Sequence, residues 1–243
     1  MTALWGSWWG VREWKFNDIT FMVSKQQNRR LRMARLMPIK LVEDHSFQFT
    51  AKWFLNTNLP SFRDFIYPVW KDKLMSYVEI GVYEGMSLVW MMQYVLTHPE
   101  SHAIGIDPWL MTTKSDEDYM EAVRLRAHHN LAPWKDRCKL IRGNSNDVIG
   151  KALSSRGGFS RMKRNSIDLC FVDGDHHKMT TMGDGELGLQ LVRPGGWIMF
   201  DQINTPRNKK GFAKDGLNLF LERNKQSVKL IWRNDYMEAY EKL

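Results

Sequence analysis

Four acids in this chain stand at the ends of short apolar runs: Glu79 within Tyr77–Ile80, Asp107 after Ala103–Ile106, Asp173 after Ile167–Val172 and Asp201 after Trp197–Phe200. A carboxylate so placed can accept hydrogen bonds from a diol, balance a cation or ligate a hard metal ion. Asp173 opens the run Asp173-Gly174-Asp175-His176-His177, whose imidazoles titrate near neutrality and suit general-base work. Of two adjacent histidines, one ordinarily points away from any given site or only caps the next helix. Gln202 follows Asp201 and offers a further, neutral oxygen.

The glycines supply the other half of the chemistry. Glu79 leads into Gly81-x-x-x-Gly85, and a helical pattern opens at Ser87. A strand, a tight turn and a helix N-terminus bring backbone N–H groups against a nucleotide-like ligand. Gly81 would let the chain leave the strand at a dihedral closed to other residues, and Gly85 would remove a side chain where ligand and helix come close. The same turn also serves where a helix merely packs tightly on a strand. A nicotinamide fingerprint would need a third glycine, and a phosphate loop would need a lysine before Ser87. Neither is present.

The elements that must position these groups alternate regularly. Strands are expected at Tyr77–Ile80, Ala103–Ile106, Lys139–Arg142, Ile167–Val172 and Trp197–Phe200, separated by helices at Ser87–Leu96, about 116–129, a short one to Leu153, and one to Val192. Ser115 is an N-cap candidate for the second helix, and Arg193-Pro194-Gly195-Gly196 reads as a turn before the fifth strand. A helix near Lys210–Arg223 precedes strands Val228–Trp232 and Tyr236–Tyr240, close enough to pair as a hairpin. This pattern predicts an α/β fold: a doubly wound, Rossmann-like sheet of seven strands, mostly parallel, with an antiparallel strand in the C-terminal hairpin. Ligands of such sheets lie outside the carboxyl ends of the strands, which is the rim where the four acids stand.

Three regions follow: an arm over 1–46, lead-in helices over 47–74 and the main domain over 75–243. The arm carries Trp5, Trp8, Trp9 and Trp14, then Arg29, Arg30, Arg32 and Arg35. It reads as a latch onto the domain or a second subunit, giving a homo-oligomer, ahead of a grip on single-stranded nucleic acid. The lead-in stretch is helical in period, with breaks expected at Leu59-Pro60 and Tyr67-Pro68. Lys+Arg 35 against Asp+Glu 27 gives +8, a balance that permits an anionic partner without requiring one. Cys138 and Cys170 form no pair and read as core residues in a reducing, cytoplasmic setting. No apolar run is long enough for a membrane span. His128-His129 suits a helix C-terminus, and Asp184 and Glu186 read as a solvated helix face. Trp109 suits either stacking near a bound nucleoside or loop packing.

Glu79–Ser87, Ile106-Asp107, Asp173–His176 and Pro194–Gly196, collinear from about Phe47 to the C-terminus, resemble the class I S-adenosylmethionine-dependent methyltransferases. The likeness is to the branch with Glu-Ile-Gly-x-x-x-Gly-x-Ser, Ile-Asp, Asp-Gly-x-His and Pro-Gly-Gly. It implies that Gly81 and Gly85 admit the cofactor, with Glu79 and Ser87 at its amino-acid portion. Asp107 would accept both ribose hydroxyls, Asn144 would face adenine and Asp173 would lie under the sulfonium. Relatives of this branch often bind a divalent cation through carboxylates after the fourth and fifth strands, commonly ending in Asp-Asp or Asp-Asn. Here Asp173, Asp201 and Gln202 would hold Mg²⁺ or another divalent ion, with a longer reach and one charge fewer at Gln202. Without a metal, His176, which fits the family pattern better than His177, would be the base.

The resemblance implies O-methylation of a hydroxyl on a small molecule or sugar. Two alternatives stand beside it: a nucleic-acid ribose or cap methyltransferase using the basic arm and the Ser154–Ser166 loop, and a non-catalytic cofactor-binding or assembly module. The Asp/Asn-Pro-Pro-aromatic and Pro-Cys signatures of DNA base methylation are missing. The acceptor would be chosen by the lead-in helices, the Trp109–Ser115 loop and the loop after Gln202.

Overall fold

The computed structural model describes residues 11–16, 19–24, 47–110, 114–154, 161–203 and 212–243. Trp5, Trp8, Trp9, Arg29, Arg30, Arg32 and Arg35 of the arm, residues 155–160 of the basic Ser154–Ser166 loop and residues 204–211 after Gln202 lie outside them. Within the arm, β1 (Val11–Phe16) and β2 (Ile19–Ser24) pair antiparallel, from Val11↔Ser24 to Phe16↔Ile19. Trp14 therefore stands in a hairpin strand, which the irregular tryptophan spacing did not announce.

The lead-in stretch runs through α1 (Trp53–Thr57), α2 (Leu59–Ser61), a π-helical turn (Phe62–Ile66) and α3 (Tyr67–Trp70). The helix is interrupted at Asn58, just before Leu59-Pro60, whereas the π-turn runs into α3 at Tyr67-Pro68 without the expected break. Pro60 and Pro68 each fall in the first turn of a helical segment, where a missing N–H is harmless. The π-turn closes when Tyr67 N–H donates to the Phe62 carbonyl, one residue before Pro68 ends the ladder.

Seven strands among the described residues form the main sheet: β3 (Ser76–Ile80), β4 (His102–Asp107), β5 (Cys138–Arg142), β6 (Ile167–Val172), β7 (Val192–Phe200), β8 (Val228–Arg233) and β9 (Glu238–Lys242). Their order is β5-β4-β3-β6-β7-β9-β8, parallel throughout except that β9 runs antiparallel to both neighbours. The chain reverses direction across the sheet between β4 and β6, on either side of β3, and there a crevice opens at the carboxyl ends. β3 is buried along its whole length, as a parallel strand covered on both faces must be.

Helices α4 (Met86–Tyr94) and α5 (Lys114–Leu131) cover one face together with the lead-in segments, around Phe62, Trp90 and Phe171. α6 (Ser145–Ser154), α7 (Lys178–Leu191) and α8 (Ala213–Asn224) cover the other, around Ile198, Phe200 and Phe220. α5 begins at Lys114, so Ser115 lies inside the helix and is not its N-cap. Arg193–Gly196 belongs to β7 rather than preceding it: Ile167 pairs with Val192 and Leu169 with Trp197, so the segment bulges within the strand, with Gly195 at φ 71°. Both cysteines are buried and free. No helix among the described residues is long and apolar enough to cross a membrane.

Candidate active site

The first turn is built on positive dihedrals at Gly81 (φ 89°), Tyr83 (φ 52°) and Gly85 (φ 78°). A methyl group added to Gly81 would lie 2.1 Å from the Asp173 carbonyl oxygen, so only glycine lets β3 and β6 end side by side. Asp107 reaches into this turn from β4. Its Oδ2 accepts the Val82 and Tyr83 N–H groups at 2.8 and 2.9 Å, and its Oδ1 accepts Trp109 N–H at 2.7 Å. The carboxylate thereby organises the turn and, of its roughly four acceptor sites, keeps one on Oδ1 for a further donor. Trp109 is buried, and its indole donates to the Tyr83 carbonyl at 2.9 Å, a loop-packing role.

Glu79 lies fully buried beneath the turn, accepting Tyr77 OH at 2.7 Å and Ser87 Oγ at 2.5 Å. Burial pushes its carboxyl up to about 8, against the pull of those two hydroxyls. Asn144 is exposed before α6, where its carbonyl accepts Val148 N–H at 3.0 Å.

Asp173, His176 and Asp201 converge. One ligand atom from each lies within 4.8 Å of the others. His176 Nε2 stands 3.5 Å from Asp173 Oδ1 and 3.9 Å from Asp201 Oδ2. Burial raises Asp173 to about 7, helped by the charges of Glu79 and Asp107. It raises Asp201 well above the ordinary range, with Asp173 adding to the shift, and it lowers His176. His176 Nε2 and Asp201 Oδ1 are buried without a hydrogen-bond partner. Two orphaned polar atoms beside a second carboxylate, that of Asp173, fit a hard divalent cation or another positive group. His177 points elsewhere: it precedes α7 and stacks on Phe212 at 6.0 Å. Gln202 follows Asp201 and is exposed at φ 53°, and His176 is the imidazole that converges with the two aspartates.

Sequence reasoning misread one acid and passed over another. Asp184 is buried, not on a solvated face; its carboxylate accepts a hydrogen bond from Ser145 Oγ and is raised to about 6 by that burial. Glu186 is half-buried and accepts Asn224 Nδ2 at 2.9 Å. Glu84, inside the glycine turn, is buried and joined to the lead-in segment and to α5. Its position between the two glycines was the sole signal, and nothing in the sequence pairs it with residues so distant.

Residues 78–203 match the family model described as "Methyltransferase domain". An uncharacterized protein, R132, of Acanthamoeba polyphaga mimivirus is 31% identical over 137 residues, 56% of this chain. That match spans 55% of the relative's length, about half of it. Among solved structures, an O-methyltransferase from Bacillus cereus in complex with SAH superposes with a TM-score of 0.50 at 16% identity, covering 90% of this chain and 92% of its own. The O-methyltransferase TomG of Streptomyces achromogenes, involved in tomaymycin synthesis and bound to SAM, gives 0.52 at 15%, covering 90% of each chain. A TDP-rhamnose 3′-O-methyltransferase of calicheamicin biosynthesis gives 0.52 at 17%, covering 89% and 93%. At such identities the likeness is one of fold.

Proposed function

Because this chain belongs to the methyltransferase-domain family, we propose that it is an S-adenosylmethionine-dependent O-methyltransferase acting on a hydroxyl of a small molecule or sugar. The observation that carries the reading is the convergence of Asp173, His176 and Asp201 at the strand ends, beside the Gly81–Gly85 turn. The bound cofactor supplies an electrophilic methyl group on a sulfonium, which an oxygen displaces in line.

The chain's own residues do the rest. The turn presents its backbone to the cofactor, and Asp107 holds that turn in shape while offering its remaining acceptor site, on Oδ1, to a ribose hydroxyl. Glu79 and Ser87 line the floor below, and Asp173 places a carboxylate against positive charge. His176 is flanked by two acids, and burial keeps its imidazole neutral, the form that takes a proton from an acceptor hydroxyl. Asp173, Asp201 and His176 would also hold a divalent cation, which when bound would lower the pKa of a coordinated hydroxyl.

Titration calorimetry with S-adenosylmethionine tests the foundation. Wild type should bind and Asp107→Ala should bind about tenfold to a hundredfold more weakly, since it loses charge-assisted hydrogen bonds to three N–H groups. Unchanged affinity in that variant would sink the assignment of the turn. Methyl transfer to a panel of hydroxylated metabolites, with and without EDTA, then separates the two modes of activation. Turnover lost to the chelator and restored by Mg²⁺ identifies the metal, whereas full turnover in EDTA leaves His176 as the base.

A further inference from the structure

Glu84 sits between the two turn glycines and is only 2% exposed. Its Oε2 accepts Thr50 N–H at 2.7 Å, with Ala51 N–H at 3.4 Å. Its Oε1 accepts the Thr50 hydroxyl at 2.6 Å and Arg126 Nε, from α5, at 2.6 Å. Asn130, also on α5 and wholly buried, reinforces the junction. Its amide donates to the Glu84 carbonyl at 2.9 Å and the Gln48 carbonyl at 3.0 Å, and its oxygen accepts Gln48 N–H at 2.6 Å. Gln48–Ala51 has no regular structure of its own, so these side chains are what fasten it.

Past Ala51 the chain enters α1, and Trp53 lies against Tyr83 with ring centroids 4.7 Å apart while remaining 64% exposed. Tyr83 belongs to the same turn and gives its N–H to Asp107. One backbone conformation, with positive φ at three of five residues, therefore does two things. It gives the Val82 and Tyr83 N–H groups to Asp107, and it brings the Glu84 carboxylate to the strap.

We propose that Glu84 is a positioning residue that couples the cofactor turn to the Gln48–Ala51 strap, so that filling the turn tightens the strap and sets Trp53 as a wall over the site. This rests on the turn being the S-adenosylmethionine site. Such coupling is reciprocal: a ligand that stabilises the turn protects the strap, and loosening the strap weakens the ligand by the same factor.

Hydrogen exchange over residues 48–57 of the full chain, with and without saturating S-adenosylmethionine, is the direct measurement. In wild type the cofactor should slow exchange there by roughly tenfold, as expected when a local opening is suppressed. Glu84→Gln sets an amide against the Thr50 N–H, so exchange should be fast and equal in both states, with affinity down by about tenfold in line with reciprocity. Thr50→Val removes one donor with little change of shape and should lose part of the protection, and Thr50→Ser should restore it. If Glu84→Gln does not fold, that Thr50 pair carries the comparison. Wild type that binds the cofactor but shows no change over 48–57 overturns the coupling alone. Variants that keep wild-type protection also overturn it. Wild type that binds no S-adenosylmethionine overturns the cofactor reading, and the coupling with it.

Discussion

At Asp173 the side chain is a quarter exposed, yet its carboxyl is raised to about 7 by burial and by the neighbouring acids. A group in that state carries its charge only above neutrality, and the cofactor and its demethylated product differ by one positive charge at sulfur. The preference for S-adenosylmethionine over S-adenosylhomocysteine should therefore rise with pH through about 7, as Asp173 ionises. Calorimetry with both ligands across that interval would show it, and Asp173→Asn should flatten the curve. An equally steep curve in the variant would assign the effect elsewhere. Asp173 was legible in the sequence because it follows the apolar run Leu169–Val172. Asp184 was not, because it lies on a helix of weak amphipathicity and its partner Ser145 is 39 residues away. A lone acid on such a helix carries no mark that distinguishes a buried hydrogen bond from a solvated face.

Turns and bulges divide by what surrounds their glycines. Gly81 combines a positive φ with a backbone carbonyl 2.1 Å from where a methyl would stand, whereas the nearest atom to a methyl on Gly195 is the flexible Arg193 guanidinium at 3.5 Å. Gly195→Ala should thus cost only the left-handed backbone penalty, about 1–2 kcal/mol, and leave cofactor affinity unchanged. Gly81→Ala adds overpacking to that penalty, for a total of about 3 kcal/mol or more, and should abolish binding. Urea midpoints and calorimetry on the two variants separate these outcomes. The core strands and helices were legible because β3 to β7 each carry a short apolar stretch with turn residues near its end. The lead-in region was not, because proline marks helix starts as well as stops, and Pro60 and Pro68 turned out to be starts. Likewise Pro194-Gly195-Gly196 was read as a turn, although a bulge inside a strand uses the same residues.

Across the whole molecule, the +8 charge is a statement about partners rather than fold. An enzyme for small hydroxylated acceptors should change its turnover by less than about twofold between 50 and 200 mM salt, whereas six or more phosphate contacts would weaken binding by roughly 10³-fold over that range. Oligonucleotide binding with that steep slope would favour the nucleic-acid alternative. The overall architecture followed from the β-α alternation, but the strand order carries a further consequence. β9 sits between β7 and β8, yet it follows both in the chain. As the polypeptide leaves the ribosome, β7 and then β8 emerge while the strand that must separate and bridge them is still being made. Until it arrives, the outer edge of β7 is an unpaired apolar template of the kind that recruits stray strands. The nascent protein is exposed to misassembly over the interval between the emergence of β7 and that of β9, and that is the interval in which a chaperone would have most to do.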